Sequence, residues 1–252
     1  MTMKNVVQIA KAFVIASVTI GVAGTVARAG APPAQGNSGA GALTGKVSFS
    51  GTKPKLRVIN MDQDPYCVNS QQGQKVYFED GAVNANDTLP NVFIYVKQGL
   101  PNANYPAPKS PVILDQRGCI YVPHVLGVMV GQELRVMSTD LTTHNVHSTS
   151  KVNPSWNQTQ TPGAPPIRKR YTKPEVMIPL KCNQHPWMSA YIGVVSNPFF
   201  AVTGTDGSFS IKGLPPGDYV IGAWTATFGT QEKSVHVNAN ETATLDFTFE
   251  GH

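Results

Sequence analysis

The sequence predicts an all-β protein, and three observations carry that expectation. Charged residues make up only 14% of the 252 positions, while Gly (23) and Pro (20) are plentiful. That balance suits short strands joined by many turns. Apolar residues recur at every second position in several short runs. No sustained amphipathic helical pattern follows the N-terminal segment. The length admits one large all-β domain or two smaller ones.

The N-terminus reads as a secretory signal over residues 1–29. Lys4 and Lys11 flank an apolar stretch from Ala12 to about Val26, and Ala27-Arg28-Ala29 is an A-x-A cleavage site. An uncleaved membrane anchor fits less well, because the stretch is rich in Gly and Ala and a cleavage site follows it. The mature protein is therefore expected to be periplasmic or secreted, with no stable membrane insertion. Cleavage removes three cations and no acid, taking the formal charge from +5 to +2. Nothing in that charge calls for a nucleic-acid partner.

Residues 30–43 are mostly Gly, Ala, Pro, Ser and Asn and read as a flexible linker. Order is expected from Leu43 or Thr44. Gly45 to Ser50 alternates, with Val47 and Phe49 on one face. A polar stretch carrying Cys67 follows, then a run of high β-propensity from Asn91 to Lys97. Gln98 to Pro111 reads as a loop. Residues 112–198 form a second unit. In it Val125 to Val130 leads into a Gly131-Gln132-Glu133 turn, and Val176, Ile178 and Leu180 alternate straight into Cys182. From residue 199 to 250 the pattern is antiparallel β, with turns at Thr205-Asp206-Gly207-Ser208, read as a hairpin type, and at Leu214 to Asp218. Ala243, Leu245, Phe247 and Phe249 alternate to the end.

The chemistry concentrates in Cys182-Asn183-Gln184-His185-Pro186-Trp187-Met188. Thiolate, imidazole and thioether within seven residues are soft or borderline ligands suited to Cu(I) and Cu(II). The Cys-x2-His-x2-Met spacing lets one loop at a strand end wrap a single ion, and Pro186 stiffens that loop. A second imidazole must come from elsewhere, and Thr143-His144-Asn145-Val146-His147 supplies it. Two histidines, a cysteine and a weak axial methionine form the set associated with blue copper electron transfer. Singly, each residue has a bland reading: a lone Cys is often a small buried hydrophobe, and a lone His or Met often packs. The conjunction in an exported β protein is specific.

The three cysteines are Cys67, Cys119 and Cys182. In an oxidising compartment two of them are expected to pair. Cys182 sits among potential ligands, so Cys67 and Cys119 are the expected disulfide. The alternative is one unpaired structural thiol with no ligand role.

On these residues the sequence resembles the cupredoxin family, with a ligand loop of the amicyanin type. The loop from Cys182 to Met188 has the form Cys-x2-His-Pro-x-Met, and His144 to His147 matches a His-Asn-Val-His run. The stretch Tyr121-Val122-Pro123-His124 through Val130-Gly131 to Leu134 is also similar. The resemblance covers roughly residues 112–197. It implies a Greek-key β-sandwich holding one copper ion that cycles between Cu(II) and Cu(I). It assigns His144, Cys182, His185 and Met188 as ligands. It makes Asn145 the residue that ties the two ligand loops together and leaves His147 a non-ligand close by. The chain departs from this pattern in a long insert, Asn153 to Lys173, and in its flanks.

Those flanks resemble the carboxypeptidase regulatory-like (transthyretin-like) β-sandwich in Gly45-Lys46-Val47, in Asn91 to Val96, and in Thr205 to Phe209 through Leu214 to Tyr219. This implies a second, discontinuous sandwich, built from 44–111 and 199–250, with the cupredoxin of 112–198 inserted in it.

The function expected is one-electron transfer with a redox protein partner. The alternative is copper storage or delivery without turnover. No enzyme is expected: four histidines remain beyond the two ligands, and they are not paired as further copper sites require. A Cys–His hydrolase would leave Met188 without a role. Trp187 and Pro186 could frame an exposed His185 edge as a docking patch, or Trp187 could pack inward. His124 could be a fifth ligand, although a structural histidine is the simpler reading. The basic run Ile167 to Tyr171, with Lys173, could dock an acidic redox partner, although a solvated loop is the simpler reading.

Overall fold

A computed structural model describes residues 39–251; the expected signal and most of the expected linker lie outside them. The elements are β1 (Gly41–Ser50), α1 (Pro65–Ser70), β2 (Phe93–Gln98), β3 (Val112–Gln116), β4 (Tyr121–Val122), β5 (Val125–Met129), β6 (Glu133–Ser138), β7 (His144–Ser148) and β8 (Trp156–Gln160). They continue with β9 (Ile167–Arg170), β10 (Glu175–Lys181), β11 (Ser189–Val195), β12 (Phe200–Val202), β13 (Ser208–Leu214), β14 (Gly217–Thr225), β15 (Gly229–Val237), β16 (Thr242–Thr244) and β17 (Phe247–Glu250). The all-β class and the two sandwiches expected from the sequence are both present. Among the described residues, no helix is long and apolar enough to cross a membrane.

Four sheets stack through three apolar layers. In the outer sandwich, the sheet β13-β1-β16, with β17 also on β1, faces the sheet β12-β2-β14-β15. Leu43, Val47, Phe49, Ile94, Ile221 and Phe247 fill the space between them. In the inner sandwich, the sheet β5-β11-β10-β7-β8 faces the sheet β4-β3-β6-β9. Its core includes Leu114, Val136, Val146, Ile178, Leu180 and Ile192. The third layer joins the sandwiches: Phe93 and Phe200 pack against Val125, Met129 and Val195. This is why β5 reads as an unbroken apolar run rather than an alternating one, since it is buried on both faces.

The join requires two glycines. Gly127 and Gly193 lie side by side on β5 and β11. A Cβ on Gly127 would come within 2.3 Å of the Phe200 ring, and one on Gly193 within 2.3 Å of the Phe93 ring. Only hydrogen at these positions leaves room for the two aromatic rings.

The structure corrects several expectations. The polar stretch between β1 and β2 does not stay with the outer sandwich. It crosses as a strap, and its Ile59, Met61 and Cys67 belong to the inner core. It carries the short helix α1, which Asp64 and Pro65 start as N-cap and first-turn proline. Order extends back to β1 at Gly41. Val176 is 38% exposed, unlike the buried Ile178 and Leu180, because an irregularity in the β10–β11 pairing between Glu175 and Ile178 breaks the alternation. The Thr205–Ser208 turn, with Gly207 at φ +75°, is no hairpin; it carries the chain from the sheet of β12 to the sheet of β13. The C-terminal strands are not all antiparallel, since β16 and β17 run parallel to β1. The insert Asn153 to Lys173 supplies two edge strands, β8 for one inner sheet and β9 for the other. The basic residues of β9 line that sheet edge, where Arg168 and Arg170 gather with Arg135 around Glu133. Charge on an edge discourages further strand pairing.

Candidate metal centre

The site lies where β10 ends and β7 begins. These strands are neighbours, with Lys181 opposite His147. Cys182 follows β10 directly. Its N–H donates to the Met188 carbonyl at 3.2 Å, and the Met188 N–H donates to the His185 carbonyl at 2.9 Å. The loop thus closes on itself. Pro186, exposed at its crest, fixes one backbone torsion and has no N–H to leave unpaired.

Three of the four proposed ligands converge. The Nδ1 atoms of His144 and His185 are 2.9 Å apart, and Cys182 Sγ is 3.8 Å from His185 Nδ1. The three donor atoms all lie within 4.8 Å of one another, and all three residues are buried. Met188 is buried in the same core cluster as Cys182, on the strand-entry side of the loop. The Asn145 side chain joins the two segments: its Oδ1 accepts from the Asn183 N–H at 3.0 Å, and its amide donates to Asn157. His147 instead hydrogen-bonds Asn183 at 3.2 Å.

The outer nitrogen of each imidazole is held by a carboxylate. His144 Nε2 lies 2.8 Å from Asp140 Oδ2, and His185 Nε2 lies 3.0 Å from Asp64 Oδ2. Burial alone would raise both carboxyls, but hydrogen bonds outweigh it and hold both below the ordinary range. They therefore accept, and each Nε2 carries its proton. Both Nδ1 lone pairs then point at each other, an arrangement that needs a cation between them. Without metal, that cation is a proton on His144. Burial opposes its charge, yet hydrogen bonds to Asp140 and the Cys182 sulfur push His144 up to about 9. Burial and the adjacent His144 charge draw His185 down. Cys182 is drawn towards thiolate, since hydrogen bonds from His144 and from the backbone of His185, Asn145 and Gln184 outweigh its burial. Two inward lone pairs and a thiolate fit a soft or borderline metal ion.

Sequence reasoning missed both carboxylates. Asp140 stands four residues before His144, but on a loop rather than a helix, so its spacing has no meaning without coordinates. It also accepts the N–H groups of Gly118 and Cys119 at 2.7 and 2.8 Å. Asp64 comes from the strap. Its Asp-Pro signature marks a helix start, but nothing local points to a histidine 121 positions away.

Cys67 and Cys119 form a disulfide, and Cys182 is free and buried. Trp187 does not frame a surface patch. It is 6% exposed, its indole N–H donates to the Cys119 carbonyl at 2.9 Å, and its ring lies 5.0 Å from that of His185. His185 is itself 5% exposed, so it presents no open edge. Among the described residues His124 joins no ligand cluster. Its nitrogens face the Ser189 carbonyl at 3.0 Å and Asp80 at 2.9 Å.

Comparison with known proteins gives one family match and several solved structures of low identity. Residues 189–250 match the carboxypeptidase regulatory-like domain. That span takes in β11 and the outer strands β12 to β17, and none of the converging donors. Among solved structures the chain is similar to a copper-containing nitrite reductase from Thermus scotoductus, with 19% identity and TM-score 0.32 over 38% of this chain and 25% of that one. It is thus similar over only a quarter of the reductase's length. It is also similar to a Cu(I) form of an amicyanin variant, with 17% identity and TM-score 0.30 over 40% and 97% of the two chains. A purple cupredoxin from Nitrosopumilus maritimus gives 19% identity and TM-score 0.26 over 38% and 94%. No curated protein matches the chain.

Proposed function

We propose that this is an exported type 1 copper protein that transfers single electrons and is not an enzyme. The observation that carries the reading is the inward aim of three buried donors, His144 Nδ1, His185 Nδ1 and Cys182 Sγ, with both outer imidazole nitrogens already engaged. Copper bound there supplies a Cu(II)/Cu(I) couple. His144, Cys182 and His185 would hold it, with Met188 as the fourth, weaker donor. Asn145 fixes the distance between the two ligand segments. Burial excludes water, which favours a carrier over a centre that turns over substrate. A rigid donor set changes little between oxidation states, so an electron moves with little rearrangement. A redox protein completes the exchange.

The test is a visible absorption and EPR titration of the mature protein with Cu(II), beside Cys182→Ser. An intense thiolate-to-copper band and a compressed hyperfine splitting, both lost in the variant, are expected. A colourless protein, or a spectrum indifferent to the substitution, would overturn the reading.

A further inference from the structure

We propose that Asp64 is a positioning residue for His185, and that the strap carrying it tunes the copper from outside the sandwich that holds the ligands. This rests on the copper reading above.

The strap packs against the outer nitrogen of the buried His185. Asp64 Oδ2 accepts a hydrogen bond from the Nε2–H at 3.0 Å, and the Cys67 sulfur lies 3.8 Å from the same nitrogen. The carboxylate has no freedom to swing away. Its Oδ1 accepts the Tyr66 N–H at 2.8 Å as the cap of α1, and its Oδ2 also accepts the Thr142 hydroxyl at 2.8 Å. The helix is itself fixed twice, by the Cys67–Cys119 disulfide and by Tyr66 OH at 3.4 Å from Asp140. The strap therefore touches the carboxylates behind both histidines.

A carboxylate that accepts the N–H of a ligating imidazole fixes the ring's tautomer and makes it a stronger donor. Stronger donation and a nearby negative charge favour Cu(II) over Cu(I), which lowers the reduction potential. One electron enters or leaves at copper; no bond to Asp64 forms or breaks, and the Nε2 proton stays on His185.

The experiment compares wild type, Asp64→Asn and Asp64→Ala by protein-film voltammetry of the copper forms. It also follows hydrogen exchange of the His185 Nε2–H by NMR in the metal-free proteins. Asp64→Asn keeps the size and loses the charge, so its band should remain blue while its potential rises; Asp64→Ala should raise the potential further. In metal-free Asp64→Ala the imidazole proton should exchange about tenfold faster, the factor for one lost hydrogen bond of about 1.4 kcal/mol. A blue wild type whose potential and exchange are matched by both variants would overturn the role of the strap alone. A colourless wild type would overturn the copper reading and the tuning with it. If Asp64→Ala does not fold, Asp64→Asn decides by its potential.

Discussion

The carboxylate of Asp64 meets the Nε2 of His185 at 3.0 Å across 121 residues of sequence. It belongs to a segment that begins and ends in the outer sandwich, while His185 belongs to the inner one. With Asp140 behind His144, it leaves both inward nitrogens as lone pairs.

Copper uptake should release protons. At neutral pH the space between the two Nδ1 atoms holds a proton on His144, whose value is about 9. Metal must displace it. The apparent affinity for Cu(II) should therefore rise with pH from 7 towards 9 and then level off. Titration calorimetry in buffers of different ionisation enthalpy measures the proton count directly; a count of zero at pH 7 would contradict the proton between the rings.

Asp140→Asn should destabilise the metal-free protein by about 3 kcal/mol. The carboxylate accepts from Gly118 N, Cys119 N and His144 Nε2 and is 4% exposed. An amide turns one acceptor into a donor facing donors, and each unmet buried group costs about 1–3 kcal/mol. Urea unfolding at pH 7 reads the loss, and an unchanged midpoint would contradict it.

Gly193→Ala should cost about 1–3 kcal/mol by overpacking. Its new methyl would lie 2.3 Å from the Phe93 ring. The double variant with Phe93→Leu should recover part of that cost, because the smaller side chain yields the space. Thermal unfolding of the single and double variants checks it. Additive losses would mean the ring is not what the methyl meets.

His124 should make stability depend on pH. Both its nitrogens face oxygen acceptors, and only the imidazolium donates to both. Burial works against that charge, but the Asp80 hydrogen bond, with the charges of Glu79 and Asp80, raises His124 above its ordinary 6.5. Asp80 is correspondingly lowered from 3.8, its hydrogen bonds to His124 and Tyr191 outweighing its burial. A raised imidazole stabilises fully below its unfolded value and loses that contribution as pH rises through its folded value. A lowered carboxylate stabilises above its unfolded value and loses it as pH falls through its folded one. The pair thus contributes most between 3.8 and 6.5. The stability gap between wild type and Asp80→Asn should be wide at pH 6 and narrow at alkaline pH. A gap constant with pH would refute the charged pair.

The donors were legible in the sequence because Cys182, His185 and Met188 share one loop and His144 opens a strand that pairs beside it. Local spacing suffices for such a set. The strap was not legible. Residues such as Asn60, Asp62 and Gln63 read as an ordinary polar loop, and the contacts that matter lie far along the chain. Trp187 carried two readings, docking patch or packing, and periodicity could not choose; the indole bond to Cys119 puts it inside. Val176 fitted the alternation of β10 until an irregular register moved it outward. The parallel pairing of β16 and β17 with β1 was equally hidden, because alternation marks a strand's faces and not the direction of its neighbour.

The disulfide also decides how far the molecule can be divided. A fragment trimmed to residues 112–198 would keep every proposed ligand but lose Cys67, the partner of Cys119. It would carry two thiols instead of one, with the stranded Cys119 beside Asp140 and the indole of Trp187. Its His185 would lose the Asp64 carboxylate that accepts its Nε2–H. The portion that carries the proposed ligands is therefore not a free-standing cassette: the outer-sandwich segment supplies Asp64 and Cys67 to its wall.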